Sequence, residues 1–399
     1  MAPRNTESAS SSQSQSSPPS SSARASDGSA EERAELGRVV RAFLAEHAPE
    51  ASVRAAMESG SGHDPALWRR LSGELGLTGL AIPEAYGGAG GIEELGVACA
   101  ELGRALCCAP YFSTMLAAQA LVASGDTEAC AAYLPGIAAG ETVATVAVAE
   151  ADGRWRRDAY ATTAEPDAEG RWLLTGAKTC VTDGMAADLL LVAADTPSGS
   201  SLFVVEHPDR AAGLTRRRLA TLDLTRRQAG IAFDRTPARR LESAGAAEPL
   251  VGHVLDMAAV LLCAEQAAGA RFLLDTTADY ARTRVQFGRP IGSFQAVKHK
   301  LADVLVQVES AHSAAYRALG AWACGDPELP LVASLAKAYC AEAYVHAAQE
   351  AVQLHGGIGF TWEHSAHLYL KRARSTRELF DPPAAHRARM AALLDEQHP

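Results

Sequence analysis

The apolar residues of this chain change their repeat twice, and that switch constrains its fold more than any other feature. From Ala30 to about Thr142 the period is helical: Leu36, Val39, Val40, Phe43 and Leu44 recur at i, i+3, i+4, i+7 and i+8, one stripe on a helix. Between Val143 and Arg240 the repeat shortens to two. Val143–Val148, Trp172–Thr175, Leu189–Val192 and Leu202–Val205 are short β-type runs, separated by turn residues such as Asp152-Gly153, Gly170 and Gly199. After Pro249 the helical period returns over Leu255–Ala281, Phe294–Gly320, Pro330–Gly356 and Ser365–Arg377. Strands this close together with no helix between them predict antiparallel pairing, not βαβ units. The expected class is α+β multidomain: an N-terminal helical domain (29–142), a central antiparallel β-barrel or sandwich (143–240) and a C-terminal four-helix bundle (241–399). Residues 1–28, mostly Ser with Ala, Gln and Pro, hold too little apolar surface to offset ordering entropy and are expected to form a disordered tail.

Composition narrows the function. A formal net charge of −10 argues against nucleic acid or an anionic membrane as partner, since either needs a concentrated positive field. The uncharged stretch Ala105–Ser124 carries Pro110, Ser113, Thr114 and Gln119, which suits buried helices better than a membrane span. Eight cysteines with no C-x-x-C spacing indicate free thiols in a reducing compartment, so the expected location is cytoplasmic.

Four spaced motifs carry the chemistry. They are Pro83-Glu84-Ala85-Tyr86-Gly87-Gly88-Ala89-Gly90; Trp172, Gly176 and Lys178 followed by Val181-Thr182; Arg284-Val285-Gln286-Phe287-Gly288-Arg289-Pro290-Ile291 with Phe294-Gln295; and Gln353-Leu354-His355-Gly356-Gly357-Ile358-Gly359-Phe360. An arginine offers a forked donor to a diphosphate, and glycines remove the Cβ that would block close backbone approach. Together, and in this order, the motifs resemble the acyl-CoA dehydrogenase family over roughly residues 30–390. The resemblance implies FAD as cofactor. Thr182 would bond the isoalloxazine edge within the same subunit, while Arg284, Phe287, Gln353 and Gly357 would hold the diphosphate and adenine end of a neighbour's FAD, with Gln295 and Gly356 as further cofactor-binding residues. Cys180 stands where the family usually has a tryptophan over the flavin.

The resemblance also implies a base. The family's reaction removes an α-proton from an acyl thioester with a carboxylate while the β-hydrogen leaves as hydride, and the carboxylate needs a raised pKa and hydrogen-bond reach. The usual position falls on Phe380 and a second family location on Ala258; neither is acidic. Asp381, one residue along, is the substitute candidate; equally, an Asp before Pro is a cap for a last helix, Pro382–Leu394. Asp256 matches a family position near the substrate's CoA, although the arginine expected three residues later is Ala259. Glu265 lies too far along the helix to replace the base, and in apolar surroundings it needs an ion pair or a subunit contact. Lys371, Arg372, Arg374 and Arg377 face either a CoA phosphate or solvent. His355, His364 and His367 match no metal-site spacing, and no metal is expected.

The half of the machinery a neighbour would use is intact, whereas the chain's own half lacks the aromatic and the base. That pattern resembles subunits of actinobacterial heteromeric dehydrogenases acting on sterol or other acyl-CoA thioesters. The expected function is α,β-oxidation of an acyl thioester by a homo- or heterotetramer, with an electron-transfer flavoprotein or similar acceptor. The alternatives are a noncatalytic FAD-clamping subunit, or a related flavoenzyme such as a monooxygenase or a biosynthetic thioester dehydrogenase.

Overall fold

A computed structural model describes residues 21–242 and 247–397. The first twenty residues of the expected tail lie outside the described residues. Its remainder does not form a tail, because helix α1 already begins at Ser21 and runs to His47. Five more helices follow: α2 (Glu50–Glu58), α3 (Pro65–Gly73), α4 (Ile92–Arg104), α5 (Tyr111–Ser124) and α6 (Thr127–Ala138). Local chemistry sets their starts. The Asp64 and Asp126 carboxylates accept the N–H groups of Ala66 and Ala129, so both act as N-caps. Helix α5 is buried on nearly all sides, which explains its lack of charge and makes it core.

The central strands are β1 (Ala144–Ala147), β2 (Thr163–Pro166), β3 (Trp172–Thr182), β4 (Leu189–Thr196), β5 (Gly199–Glu206), β6 (Leu214–Arg218) and β7 (Gln228–Arg240). The expectation of purely antiparallel pairing is corrected here. Strand β1 lies parallel to β4, and β2 meets β4 in parallel at Thr163 and Asp195. The connection between β1 and β4 runs through the β2–β3 pair, so a crossover is made without a helix. The other pairings (β2–β3, β3–β7, β7–β5, β5–β4, β6–β7) are antiparallel, and the path from β4 through β2, β3, β7 and β5 returns to β4. Gly176 shows why a glycine stands inside β3: its φ is +143°, and a Cβ would lie 2.7 Å from the Thr162 Cα.

The last part holds α7 (Ala247–Thr283), the two-stranded β8 (Val285–Gln286) and β9 (Arg289–Pro290), α8 (Gln295–Ala323), α9 (Leu329–His355), α10 (Gly357–Phe360), α11 (Ala366–Glu378) and α12 (Pro383–Gln397). Helix α7 packs on α4, α8 and α9, and α11 and α12 pack on α9. Residues Leu250–Thr283 are long and apolar enough to cross a membrane, yet 83% of their most apolar window is buried in protein. One apolar cluster joins all three segments, from Val40 and Met115 through Leu191 to Leu262 and Phe380.

Candidate functional site

Thr182 ends β3, where the strand departs from regular pairing. The register with β7 shifts between Lys178 and Val181, and Cys180 has a φ of +52°. A bulge re-aims side chains. Here it lets Thr179, Cys180 and Thr182 all line one cleft, with Phe112 and Ser113 of α5, Thr145 and Val146 of β1, Trp155 and Phe380. The Thr145 hydroxyl donates to the Thr182 carbonyl at 2.6 Å, fixing the strand end. The Thr182 Oγ1 itself is buried without a hydrogen-bond partner. An orphaned hydroxyl of this kind needs an explanation, and a bound polar edge supplies one. Burial pushes the Cys180 thiol up, so it is no thiolate. Lys178, from the same motif, faces away into the core. Its Nζ donates to Glu150 at 2.5 Å and lies 4.5 Å from the Tyr160 ring centroid.

The cleft has little space, about 10 Å³, close to the minimum for a single water. Three rings close it. Phe380 lies 5.7 Å from Phe112 and 5.8 Å from Trp155 between centroids. The strand-side residues therefore suit a flavin edge, but the space for a tricyclic ring beside them is taken.

Phe380 and Asp381 form a turn with φ values of +55° and +74°, unusual for two successive residues bearing side chains. The His386 Nε2–H donates to the Phe380 carbonyl (2.8 Å), and the buried Lys337 Nζ donates to the Asp381 carbonyl (3.2 Å) and to that of Arg377 (3.1 Å). These donors hold the turn, and burial brings Lys337 down to about 8. Phe380, not Asp381, lines the cleft. The Asp381 carboxylate makes no hydrogen bond among the described residues. Burial raises its pKa while Arg157, Lys337, Arg389 and Arg154 pull it down. The capping alternative is corrected as well: α12 starts at Pro383, one residue later than expected, and it is the Pro382 carbonyl that accepts the N–H groups of Ala385 and His386.

The Asp256 carboxylate is taken up by two arginines. Arg157 donates to Oδ1 at 2.9 Å, and Arg389 donates to Oδ1 and Oδ2 at 2.5 and 3.0 Å. Glu265 does have the ion pair its surroundings demand, with Arg226 and with Arg372. Arg372 thus faces neither CoA nor solvent: it is buried, with Asp223 as its second counter-ion.

The other candidate residues gather at the far end of the helices. The β8–β9 hairpin turns on Phe287 and Gly288, both with positive φ, as a two-residue hairpin loop requires. This leaves Phe287 91% exposed beside an exposed Arg284 whose guanidinium makes no hydrogen bond or ion pair among the described residues. The Tyr280 ring, one turn before the end of α7, stacks on His355, the last residue of α9, at 4.4 Å. That contact brings the segment of Arg284, Phe287 and Gln295 beside the segment of Gln353, Gly356 and Gly357, all of them exposed. Gly356 has φ 65° and ψ −141°, a region essentially restricted to glycine, and it turns the chain out of α9. His364 packs on His355 and His367 on Trp362; among the described residues no cluster suits a metal ion. Asp256 and Arg284 are separated by most of the length of α7, roughly 40 Å at 1.5 Å per residue.

A helix–sheet–helix scaffold with an orphaned strand-side hydroxyl and a separate arginine–glycine surface is the build of a flavin-dependent oxidoreductase. Comparison with known proteins gives the family. Residues 30–141 match the acyl-CoA dehydrogenase N-terminal domain and residues 249–391 the acyl-CoA dehydrogenase C-terminal domain. The chain is 38% identical to the acyl-CoA dehydrogenase IpdE2 of Mycobacterium tuberculosis, over 88% of this chain and 94% of that protein. Among solved structures it is similar to a variant of the Tcur3481-Tcur3483 steroid ACAD (TM-score 0.85, 34% identity, 92% of this chain and 99% of that one). It is also similar to a chain of the ChsE4-ChsE5 complex from Mycobacterium tuberculosis (TM-score 0.83, 28% identity, 91% and 97%). The chain belongs to the acyl-CoA dehydrogenase family, FAD-dependent oxidoreductases acting on CH–CH groups.

Proposed function

We propose that this chain works as the FAD-clamping subunit of a heteromeric acyl-CoA dehydrogenase, oxidising the Cα–Cβ bond of an acyl-CoA thioester jointly with a related chain that carries the base. The observation that carries this reading is Phe380. The side chain at the base position is a phenyl ring packed against Phe112 and Trp155, and it occupies the cleft where a carboxylate and substrate would meet. Asp381 does not replace it, because its carboxylate lies among Arg154, Arg157, Lys337 and Arg389. Asp256, with both oxygens engaged by arginines, does not need a substrate partner.

The opposite end supports a role in trans. Arg284 is free to pair with a diphosphate, Gln353 to bond a polar edge, and Gly356 and Gly357 to admit close backbone approach. None of these residues lines the Thr182 cleft, so the two sets belong to separate surfaces of the protomer. Phe287, Phe360 and Trp362 are strongly exposed around them, an apolar rim expected at a subunit contact. The FAD held there supplies a two-electron acceptor for the substrate's β-hydrogen; this chain's part is to orient the dinucleotide and exclude water from it. Both of the similar solved proteins are named as pairs of chains, one of them a steroid ACAD, which fits a heterotetramer with a sterol-type or other acyl-CoA substrate and a flavoprotein acceptor in the cytoplasm. The closed strand path and the helices around α9 are read as the barrel and four-helix bundle of this scaffold.

The test is expression alone and with a homologous dehydrogenase chain, followed by visible spectra. We expect a colourless protein alone, and a yellow complex that an acyl-CoA bleaches anaerobically. Arg284→Gln should lower flavin content in the complex. A chain that binds FAD alone and is bleached by an acyl-CoA would overturn the proposal.

A further inference from the structure

Two cavities open on the helical side of the molecule and share no residue with the Thr182 cleft. One, of about 270 Å³, lies among α1, α4, α7 and α8, with a wall of small residues that includes Gly96, Ala100, Ala267 and Ala268. The second, of about 220 Å³, runs from α1 and α2 toward α11, past Leu44, Val53, Phe272 and Leu368. They meet at Arg41, Glu101 and Arg104, which line both.

At the junction two arginines, Arg41 and Arg104, face one carboxylate, Glu101, and Glu50 in the second cavity is taken by Arg54 at 2.8 Å. Arg33 pairs with Glu93 at 2.8 Å and Arg271 pairs with Glu309. Arg41 holds Glu101 through two hydrogen bonds of 2.9 and 2.5 Å, so that carboxylate is already committed. Arg104 is half-buried, its guanidinium 5.1 Å from the centroid of the Phe272 ring, and among the described residues it has no carboxylate within ion-pair distance. A cation without a counter-ion, placed where two apolar hollows join, is complementary to one kind of molecule: an anionic head on an apolar body. The cavities are small beside ordinary ligand pockets, which limits that body to a slender chain. From this geometry we infer that the α1–α4–α7 junction binds a small amphipathic carboxylate, its head on Arg104 and its chain along the alanine wall.

The site stands apart from the proposed subunit role, so its test does not depend on flavin. The full chain is titrated calorimetrically with decanoate, decanol and decyltrimethylammonium. Decanoate should bind at least roughly tenfold more tightly than decanol, the value of a charge-assisted hydrogen bond in a partly buried setting, and the cation should not bind. Arg104→Gln should bring decanoate down to the level of decanol. Ala268→Leu, filling the wall, should abolish both; Ala100→Leu serves in its place if that variant fails to fold, with circular dichroism as the check. Decanoate that does not bind, that binds no better than decanol or the cation, or that binds Arg104→Gln and the leucine variant as tightly as the parent, overturns the assignment.

Discussion

Replacing Arg372 by Met tests the buried network that ties the strand segment to the helices. In the native chain its Nε donates to Asp223 Oδ2 at 2.8 Å, Nη1 to Glu265 Oε1 at 2.9 Å and Nη2 to Thr225 Oγ1 at 2.6 Å, and Arg372 itself is 1% exposed. Arg226 takes the other oxygen of Glu265. Two buried carboxylates are thus balanced by two guanidiniums. Met keeps much of the volume and leaves Arg226 on Glu265, but Asp223 loses its cation, so one negative charge goes uncompensated. Breaking a buried pair from one side costs about 3–5 kcal/mol, so Arg372→Met should lose about 4 kcal/mol of unfolding free energy at pH 7. Urea unfolding followed by tryptophan fluorescence measures it. Adding Asp223→Asn removes the stranded charge and should recover about 2 kcal/mol, a coupling expected of residues in one network. The pH dependence has a definite sign. Burial alone would raise the Glu265 pKa, but Arg226 and Arg372 hold it below the usual carboxylate range. That stabilisation is present above the unfolded value and is lost as pH falls through the folded one, so the wild-type advantage should shrink in acid. A loss under about 1 kcal/mol for Arg372→Met, or no recovery with Asp223→Asn, would refute the reasoning.

Lys337 should give a trend of the same sign in a different, alkaline window. Burial lowers it from 10.5 to about 8, so between those values the unfolded chain holds the extra proton and stability rises with pH. The wild type should gain about 3 kcal/mol relative to Lys337→Met between pH 7 and 10.5, read from denaturant midpoints, and parallel profiles would contradict this. Phe380→Ala should open the cleft beside Thr182. It should cost about 3–5 kcal/mol of stability and allow quenching of riboflavin fluorescence that the parent does not produce. Gly356→Ala forces a side chain into a glycine-only backbone region and should cost about 1–3 kcal/mol, seen as a lower thermal midpoint with helix content unchanged.

The features legible in the sequence were those that depend on local spacing. The change of apolar period located the strand segment and the long helices, because a buried face imposes its period wherever it occurs. Strand β7 went unseen: Gln228–Arg240 contains Gly230, Pro237 and four charged side chains, so its alternation is brief. The parallel β1–β4 pair was equally hidden, since its crossover is built from strands. Burial of Arg372 could not be read from α11, where an arginine among Lys371 and Arg374 looks solvated. Its counter-ions lie 149 and 107 residues away. The count to the base position, by contrast, landed on Phe380, and Phe380 does line the cleft. What the count could not supply is the conformation of the turn, which depends on Lys337 and on His386, donors brought in by α9 and α12. That dependence bears on the proposal. A turn whose carbonyls are held by two buried donors, and whose ring is packed by two other rings, cannot swing Asp381 into the cleft without costing Lys337 one of its two acceptors and leaving the His386 Nε2–H unpaired. Such a rearrangement costs on the order of one buried unsatisfied polar group, at His386, besides the weakened solvation of the Lys337 ammonium. The same contacts that stabilise the fold therefore oppose catalysis by Asp381 in this subunit, which supports the proposal that a related chain supplies the base.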